Sequence, residues 1–393
     1  MIDHVLAVTN EPRPARRPSL RRALLLRLLS LTLGSLAALC LLEVGLRIVG
    51  YAGAEERAQS RFDARYGTVR KDSWIFDFQI DPRRHRAVEL RGQHIELQKP
   101  AGQRRVLFVG DSATEGAFVP IEASYPLRFQ QLLDARDPEN RVRVINAGVW
   151  GMTTIDEYHL LRDKLLPLQP DVVIVGVFMA NDINFNLAHG RKQLRLQAPA
   201  WSHWVRQHSA LGHMLFLRAL SFNARHRWLG PETLGARWVP APLSRVDARG
   251  LHMLSYPAGE LALYLRKPSA LVDEAYDVME QVLGDFIALG RQHGFSVRLL
   301  LIPTPSSVVG RLAILHHPEI LTTLREQGIE VDASELDFGL PTRRMLALCQ
   351  KLELPCVDAR PAMKRLGLAA FFRGDEHPNE AGHRILAKAL LAP

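Results

Sequence analysis

The chain has 393 residues, of which 47% are hydrophobic and 23% are charged, and its formal net charge is +9. This apolar content is sufficient for one large core, or for one core with a smaller appendage. The basic excess does not indicate a nucleic-acid-binding protein, because neither a basic stretch interleaved with aromatic residues nor a zinc-ligand spacing accompanies it.

The positive charge is concentrated at the N-terminus. The first 27 residues hold six arginines and only two carboxylates, Asp3 and Glu11. Arginines in front of an apolar segment are typical of the cytoplasmic side of a membrane span. We therefore expect residues 1–22 to form a basic cytoplasmic leader, with the rest of the chain translocated across the membrane.

A long apolar segment follows the leader. Its uncharged part, residues 28–42, is shorter than the roughly 20 residues that a span needs. Arg27 and Glu43 lie at the two ends, where long side chains reach the membrane interface. The sequence therefore predicts an uncleaved transmembrane signal-anchor over residues 23–50. A cleaved signal peptide, suggested by small residues near Cys40, and a buried helix of a soluble protein are the alternatives.

Two further cysteines, Cys349 and Cys356, lie seven positions apart in the sequence CQKLELPC. In an oxidising compartment they are able to form a disulfide. Spacing alone does not establish the geometry of the bond, so a disulfide and two buried free thiols both remain open.

Apolar, β-branched runs of strand length alternate with helical segments over residues 104–393. Runs that are apolar on both faces are typical of parallel strands with helices on both sides. The alternation predicts an α/β fold with an open, doubly wound parallel sheet. The five predicted strands are residues 105–110, 142–148, 171–178, 296–303 and 355–358.

Two segments lie outside this alternation. Residues 51–103 are polar and irregular, and we expect them to form a connector that packs on the α/β domain. Residues 184–270 form an insertion, and a segment of this length is usually a lid, a binding surface or a docking element. The insertion contains four of the six tryptophans, which are Trp201, Trp204, Trp228 and Trp238.

Polar residues follow the predicted strands at the edge where ligands bind in a parallel α/β sheet. Ser112 follows the first strand, Gly151 the second and Asn181 the third, and His377 precedes the last helix. Each of these residues alone is explained by a turn or a helix cap. Together they predict one polar site at the carboxyl edge of the sheet.

These residue types form a complete set for acyl transfer. A serine hydroxyl such as that of Ser112 needs a base, and histidine, here His377, is the usual base near neutral pH. Asp375, two residues earlier, is placed to orient this imidazole and to stabilise its charged form. The backbone N–H groups of Ser112 and Gly151 and the amide of Asn181 are candidate donors to an oxyanion. We expect neither a metal nor a cofactor, because the scattered histidines lack a supporting cysteine or carboxylate spacing.

Four neighbouring polar residues have secondary roles in this interpretation. Asp111 is expected to steady the turn before the serine, and Asp182 to steady its own loop. His383 is expected on the first turns of the last helix, facing solvent or core. Glu376 is the alternative carboxylate partner of the histidine.

With these blocks the chain resembles the SGNH, or GDSL, hydrolase superfamily. The blocks read GDSATEG, NAGVWG, ANDI and DEHPNEAGH and occur in the order of the family. The resemblance covers roughly residues 104–393 and implies a flavodoxin-like, three-layer fold. It also implies that Ser112 is the nucleophile, that Gly151 and Asn181 belong to the oxyanion hole, and that His377 is the base. An apolar helix followed by such a domain is similar to single-pass members of the bacterial inner membrane, whose catalytic domain lies in the periplasm.

Two positions depart from the family pattern. The common final block has aspartate three residues before the histidine, where this chain has Gly374, and the aspartate here is Asp375. This Asp-x-His spacing resembles O-acetyltransferase-type relatives of exopolysaccharide pathways. Met179 stands where the third block usually has glycine.

The resemblance implies a carboxylic-ester enzyme that works through an acyl-serine. Water as the acceptor makes it an esterase, and a sugar hydroxyl makes it a polysaccharide O-acetyltransferase. The anchor, the Asp-x-His spacing and the tryptophan-rich insertion favour O-acetyl esters of an extracytoplasmic glycan, with lipid esters as the other possible substrates. A catalytically inactive envelope-binding module is the remaining alternative, and retention of all five site residues argues against it.

Overall fold

The computed structural model describes residues 20–49, 60–63, 67–70, 73–75, 78, 80, 81, 83, 85–188, 208–212, 214–215, 258–313 and 332–391. The predicted basic leader up to residue 19 lies outside the described residues. The four tryptophans of the insertion also lie outside them.

The strands are β1 Ser60–Asp63, β2 Gly67–Arg70, β3 Ala87–Leu90, β4 Gln93–Glu96, β5 Arg104–Gly110, β6 Val142–Asn146, β7 Val172–Phe178, β8 Ser296–Ile302 and β9 Cys356–Asp358. The helices are α1 Leu20–Ile48, α2 Ser112–Glu115, α3 Tyr125–Arg136, α4 Thr154–Leu160, α5 Asp182–Phe185, α6 Ala258–Tyr264, α7 Ala270–His293, α8 Pro305–Val309, α9 Leu340–Lys351, α10 Arg360–Met363 and α11 Glu380–Ala389.

A five-stranded sheet forms the centre of the α/β domain. Its strand order is β6-β5-β7-β8-β9, and every neighbouring pair is parallel. Counted along the chain, this is the order 2-1-3-4-5, in which the winding reverses beside the first strand and leaves a crevice at the carboxyl ends. All five predicted strands are confirmed, because long apolar, β-branched runs identify buried parallel strands.

Helices cover both faces of this sheet. One face packs against α4, α5 and α7 through residues that include Leu107 and Val109 of β5. The opposite face packs against α3, α10 and α11 through Val106 and Phe108 of the same strand. Since alternate residues of a strand point to opposite faces, both faces are buried, and the predicted three-layer fold is confirmed.

The connector contains two antiparallel hairpins, β1–β2 and β3–β4, where the sequence predicts irregular structure. Strands of four residues are too short to produce a clear periodic pattern. Gln93 of the second hairpin binds the edge strand β6, donating to Val144 O at 3.1 Å and accepting from Asn146 N at 2.9 Å. The described part of the connector contributes the buried apolar side chains of Ile75, Phe78, Leu90, Ile95 and Leu97 to the core.

The helix α1 is long and apolar enough to cross a membrane. The segment Leu24–Ile48 has a mean hydropathy of 2.0, and its side chains are not buried. Glu43, near the end of this segment, accepts hydrogen bonds from Ser209 Oγ at 2.9 Å and from the N–H groups of Ala210 and Leu211 at 2.8 Å. The end of α1 is therefore bound to a helical turn inside the insertion.

Cys349 and Cys356 are joined by a disulfide, with their Cα atoms 6.2 Å apart. The chain folds back directly after α9, where Leu354 N donates to Cys349 O at 2.9 Å, and this turn brings the start of β9 beside the helix. The alternative of two free thiols is therefore wrong for this structure. Cys40 is free and exposed on α1.

Candidate active site

Ser112 begins α2 at the carboxyl end of β5. Asp111 caps this helix, because its Oδ1 accepts from Ala113 N at 2.9 Å. The preceding Gly110 permits the tight strand-to-helix turn, since a Cβ there would lie 1.9 Å from Thr114 Oγ1. Ser112 is 5% exposed. Its N–H belongs to the first turn of a helix, where no acceptor exists within the helix itself.

The structure brings Ser112, His377 and Asp375 together, although 265 positions separate the serine from the histidine. Ser112 Oγ lies 2.7 Å from His377 Nε2, and His377 Nδ1 lies 2.5 Å from Asp375 Oδ1. With the Nδ1 proton donated to the carboxylate, Nε2 is left as the acceptor of the serine hydroxyl. The order of these contacts is the order in which a nucleophile, a base and an orienting acid are connected.

The turn that carries Asp375 and His377 is held at both ends. Asn379 caps α11 by accepting from Ala381 N at 2.9 Å, and its Nδ2 donates to Phe371 O at 2.7 Å. Gly382 allows α11 to approach the segment before the turn, since a Cβ there would lie 2.2 Å from the carbonyl oxygen of Ala370. The final block therefore supplies both candidate side chains, Asp375 and His377, and the contacts that hold their turn.

Asn181 reaches the site through Asp111. Its Nδ2 donates to Asp111 Oδ2 at 3.2 Å, and this contact leaves the second amide hydrogen for another acceptor. Asp111 therefore does more than the sequence suggests: it steadies the turn before Ser112 and also binds the amide of the third block. Asp182 Oδ2 accepts from Phe178 N at 2.6 Å, which holds the loop that follows β7.

Gly151 lies in the loop after β6 and has a φ of +78°, a conformation that favours glycine. The preceding residue, Trp150, stacks on the His377 ring with centroids 5.5 Å apart and 25° between the planes. The Trp150 N–H donates to Glu115 Oε2 at 2.9 Å, which links this loop to α2. The second block is thereby placed against the histidine.

Three buried carboxyl groups lie behind these residues. Burial raises the pKa of Asp111, and it raises the pKa values of Glu157 and Asp182 further, with the mutual repulsion of the carboxylates adding to the effect. Both carboxyl oxygens of Glu157 lack a hydrogen-bond partner within the described residues. Burial thus favours the neutral form of this cluster, which limits the negative charge behind the proposed oxyanion donors.

His383 faces the core and packs against Tyr125, away from Ser112. Its Nδ1 accepts from Tyr125 N at 3.2 Å, and its ring stacks on the Tyr125 ring. Burial lowers the pKa of His383 to about 3, so that this histidine is neutral near pH 7.

Aromatic rings surround His377, and sequence reasoning missed this feature. Phe118 lies with its ring centroid 5.5 Å from that of His377, and Phe178 lies 5.7 Å away. Phe118 also meets Trp150 at 5.3 Å and Phe372 at 5.8 Å. In the sequence, these aromatic residues lie within or a few positions from the four blocks, and no periodicity connects them.

No group of three or more His, Cys, Asp or Glu side chains within the described residues is arranged to hold a metal ion. The sequence offers Asp375 and Glu376 as carboxylate partners of His377. In the structure, His377 Nδ1 donates to Asp375 Oδ1.

Three solved structures illustrate what this chain is similar to. LAE5, an α/β hydrolase enzyme from the metagenome of Lake Arreo in Spain, is 18% identical, with a TM-score of 0.37 over 74% of this chain and 94% of that one. Axe2, an acetylxylan esterase from Geobacillus stearothermophilus, is 16% identical, with a TM-score of 0.38 over 75% and 94%. TesA is 14% identical, with a TM-score of 0.36 over 73% and 96%.

Comparison of the sequence with protein-family profiles and with curated proteins found no match. The roles of the site residues accordingly depend on the geometry of this chain. Its strand order is β6-β5-β7-β8-β9, and the residues of its four blocks meet at the carboxyl edge of that sheet. On this evidence the chain has the fold of the SGNH hydrolases.

Proposed function

We propose that this chain is a serine-dependent carboxylic-ester hydrolase of the SGNH type. The observation that carries the proposal is the hydrogen-bonded series from Ser112 through His377 to Asp375. Each group lies at hydrogen-bond distance from the next, in the order that proton transfer from a serine nucleophile requires.

In the first half-reaction, His377 Nε2 takes the hydroxyl proton while Ser112 Oγ forms a bond to the ester carbonyl carbon. Asp375 holds the imidazole in place and stabilises its positive charge. The carbonyl oxygen becomes negative, and the proposed donors to it are the N–H groups of Ser112 and Gly151 and an amide hydrogen of Asn181. The C–O bond to the alcohol then breaks, and His377 gives its proton to the leaving oxygen.

In the second half-reaction, water attacks the acyl-serine carbonyl carbon while His377 takes a proton from that water. The Ser112 ester bond breaks, the carboxylic acid leaves, and the proton returns to the serine oxygen. A sugar hydroxyl in place of water would make the same chemistry an O-acetyl transfer.

The proposed substrates are acyl esters, above all O-acetyl esters, of an extracytoplasmic glycan. The proposed organisation is a cytoplasmic leader (1–22), a signal-anchor (23–50), a connector (51–103) and a catalytic domain (104–393) in the periplasm of a bacterium. The apolar α1 and the arginines that precede it support this orientation. The tryptophan-rich insertion supports a carbohydrate substrate, because aromatic faces pack on the apolar faces of sugar rings.

The test is hydrolysis of p-nitrophenyl acetate by the detergent-solubilised full chain. We expect Ser112→Ala to lower kcat/KM by at least about 10³-fold, because the nucleophile is removed. Ser296→Ala is the matched control: Ser296 begins β8 at the opposite edge of the sheet, so its loss should leave turnover unchanged. Undiminished turnover by Ser112→Ala would remove the nucleophile assignment.

Comparing acetate release with acetyl transfer to an added oligosaccharide separates the esterase from the O-acetyltransferase. Comparing acetylated sugars with acyl glycerol esters separates glycan from lipid substrates. A wild-type chain that hydrolyses none of these esters, and that acquires no acyl group on Ser112 by mass spectrometry, would be an envelope-binding module instead.

A further inference from the structure

Phe118 is an exposed aromatic ring beside the proposed base. Its side chain is 60% exposed, and its ring meets those of Trp150, Phe372 and His377 in edge-to-face geometry. Exposure of an apolar ring to water is unfavourable, and the hydrophobic effect favours burial of such a ring in the core. The exposed ring therefore needs a local explanation.

The backbone conformation that presents this ring is strained. Phe118 has a φ of +64°, which is rare for a bulky residue and costs on the order of 1–3 kcal/mol. The turn around it is closed by hydrogen bonds from Ala117 N to Ser112 O at 2.9 Å and from Val119 N to Gly116 O at 3.3 Å. The same short segment thus carries the serine and presents the ring.

Hydrogen bonds to Glu115 hold Trp150, the neighbour of the Phe118 ring, in place. Arg91 Nη1 donates to Glu115 O at 2.6 Å, and Glu115 Oε2 accepts from Trp150 N at 2.9 Å. Trp150 is therefore tied to α2, and the edge-to-face pair that it makes with Phe118 is built from two anchored segments. The aromatic surface formed by Phe118, Trp150 and Phe372 is thus a fixed part of the site.

The chemistry of the site decides which part of an ester meets this surface. During acyl transfer, His377 Nε2 gives its proton to the alcohol oxygen, so the alcohol part of the ester departs on the side of the imidazole. The aromatic surface borders that imidazole, with Phe118 the exposed member. The alcohol part is consequently the group that the ring of Phe118 is placed to meet.

We propose that Phe118 is the specificity-determining platform for the alcohol part of the ester, and that this part is a sugar ring packed by its apolar C–H face on the phenyl ring. The inference rests on the proposed esterase function and adds to it the residue that selects the alcohol. An open, exposed ring suits a bulky alcohol that extends into solvent, as a sugar within a glycan chain does.

The experiment compares esters that differ on only one side of the carbonyl. The detergent-solubilised full chain is assayed with methyl acetate, with methyl 6-O-acetylglucopyranoside, and with methyl butanoate. For Phe118→Ala, the ratio of kcat/KM for the sugar ester to that for methyl acetate should fall about 10-fold, mainly through KM, from the loss of one aromatic stacking contact. The ratio for methyl butanoate to methyl acetate should not change.

Two further variants make the result specific. Phe118→Trp keeps an aromatic face and should restore the sugar-ester ratio. Leu366→Ala, which removes a 42% exposed apolar side chain outside the aromatic surface, should leave both ratios as in the wild type.

The other outcomes overturn the inference in different ways. An equal loss on all three esters would mean that the ring only positions His377. A change confined to the butanoate ratio would place the acyl group, and not the alcohol, on Phe118. Failure of the inference is distinct from failure of the proposed function: in the first case the wild type still hydrolyses methyl acetate and Ser112→Ala does not, and in the second the wild type hydrolyses no ester, which overturns both.

Discussion

Gly148, in the loop after β6, is a position where a single methyl group should disable the site without touching a reacting residue. A Cβ built at Gly148 would lie 2.3 Å from the backbone nitrogen of Glu115, 2.7 Å from the Cα of Glu115 and 2.7 Å from the carbonyl carbon of Thr114. These are backbone atoms of α2, the helix that begins with Ser112, so no side-chain rotation relieves the contact.

The size of the effect follows from these distances. Ordinary contacts between heavy atoms lie near 3.5–4.0 Å, so Gly148→Ala must move the loop away from α2 by roughly 1 Å. The loop carries Trp150 and Gly151, and a displacement of that size at a catalytic site costs about 10²-fold in rate. Overpacking of a close contact costs a further 1–3 kcal/mol or so in the free energy of unfolding.

The assay is kcat/KM for p-nitrophenyl acetate, together with urea unfolding followed by circular dichroism. We expect Gly148→Ala to lower kcat/KM about 10²-fold and to unfold at lower urea. The matched control is Gly284→Ala within α7, where a Cβ meets nothing within 4 Å and where alanine favours the helix by up to about 1 kcal/mol. Wild-type activity and wild-type stability in Gly148→Ala would refute the reasoning from close packing.

Two further predictions concern residues away from the reacting atoms. Because burial lowers the pKa of His383 to about 3, the unfolded chain binds a proton that the folded chain does not. The contribution of His383 to the free energy of unfolding should therefore fall by roughly 2 kcal/mol between pH 6.5 and 5, and be level above pH 6.5. Urea titrations of the wild type and of His383→Gln should differ by this pH-dependent amount, and an identical pH dependence of the two proteins would contradict the assignment. Replacing Glu43 by Gln removes the charge that accepts from Ala210 and Leu211, so the amide hydrogens of those residues should exchange roughly 10-fold faster in mass spectrometry, whereas equal exchange rates would contradict the contact.

The pattern of the sequence identifies the sheet and the edge where the site lies. Runs such as 105–110 and 171–178 are apolar on both faces, and only a strand covered on both sides accommodates them. Once the strands are parallel and alternate with helices, their carboxyl ends share one edge, so the residues that follow them, Ser112 and Asn181 included, must come close. Local composition also locates the apolar α1.

The hydrogen-bond partners within that edge depend on tertiary packing. The binding of Asn181 to Asp111, the choice of Asp375 as the partner of His377, and the joining of Cys349 to Cys356 all require side-chain positions that spacing does not supply. Sequence spacing limits only how far apart residues can lie, and it leaves their orientation free.

The aromatic surface and the contact between α1 and the insertion depend even more on tertiary packing, because nothing in the local sequence indicates them. Phe118, Trp150 and Phe372 come from three separate loops, and each looks in the sequence like an isolated apolar residue in a turn. Glu43 looks like the charged end of an apolar segment, yet its carboxylate binds a turn more than 160 positions later. The sequence by itself determines the sheet, its order of elements and the chemistry at its edge, because these follow from local periodicity and residue type. The surfaces that meet across loops are decided only by the tertiary structure, because they depend on how separately folded segments pack.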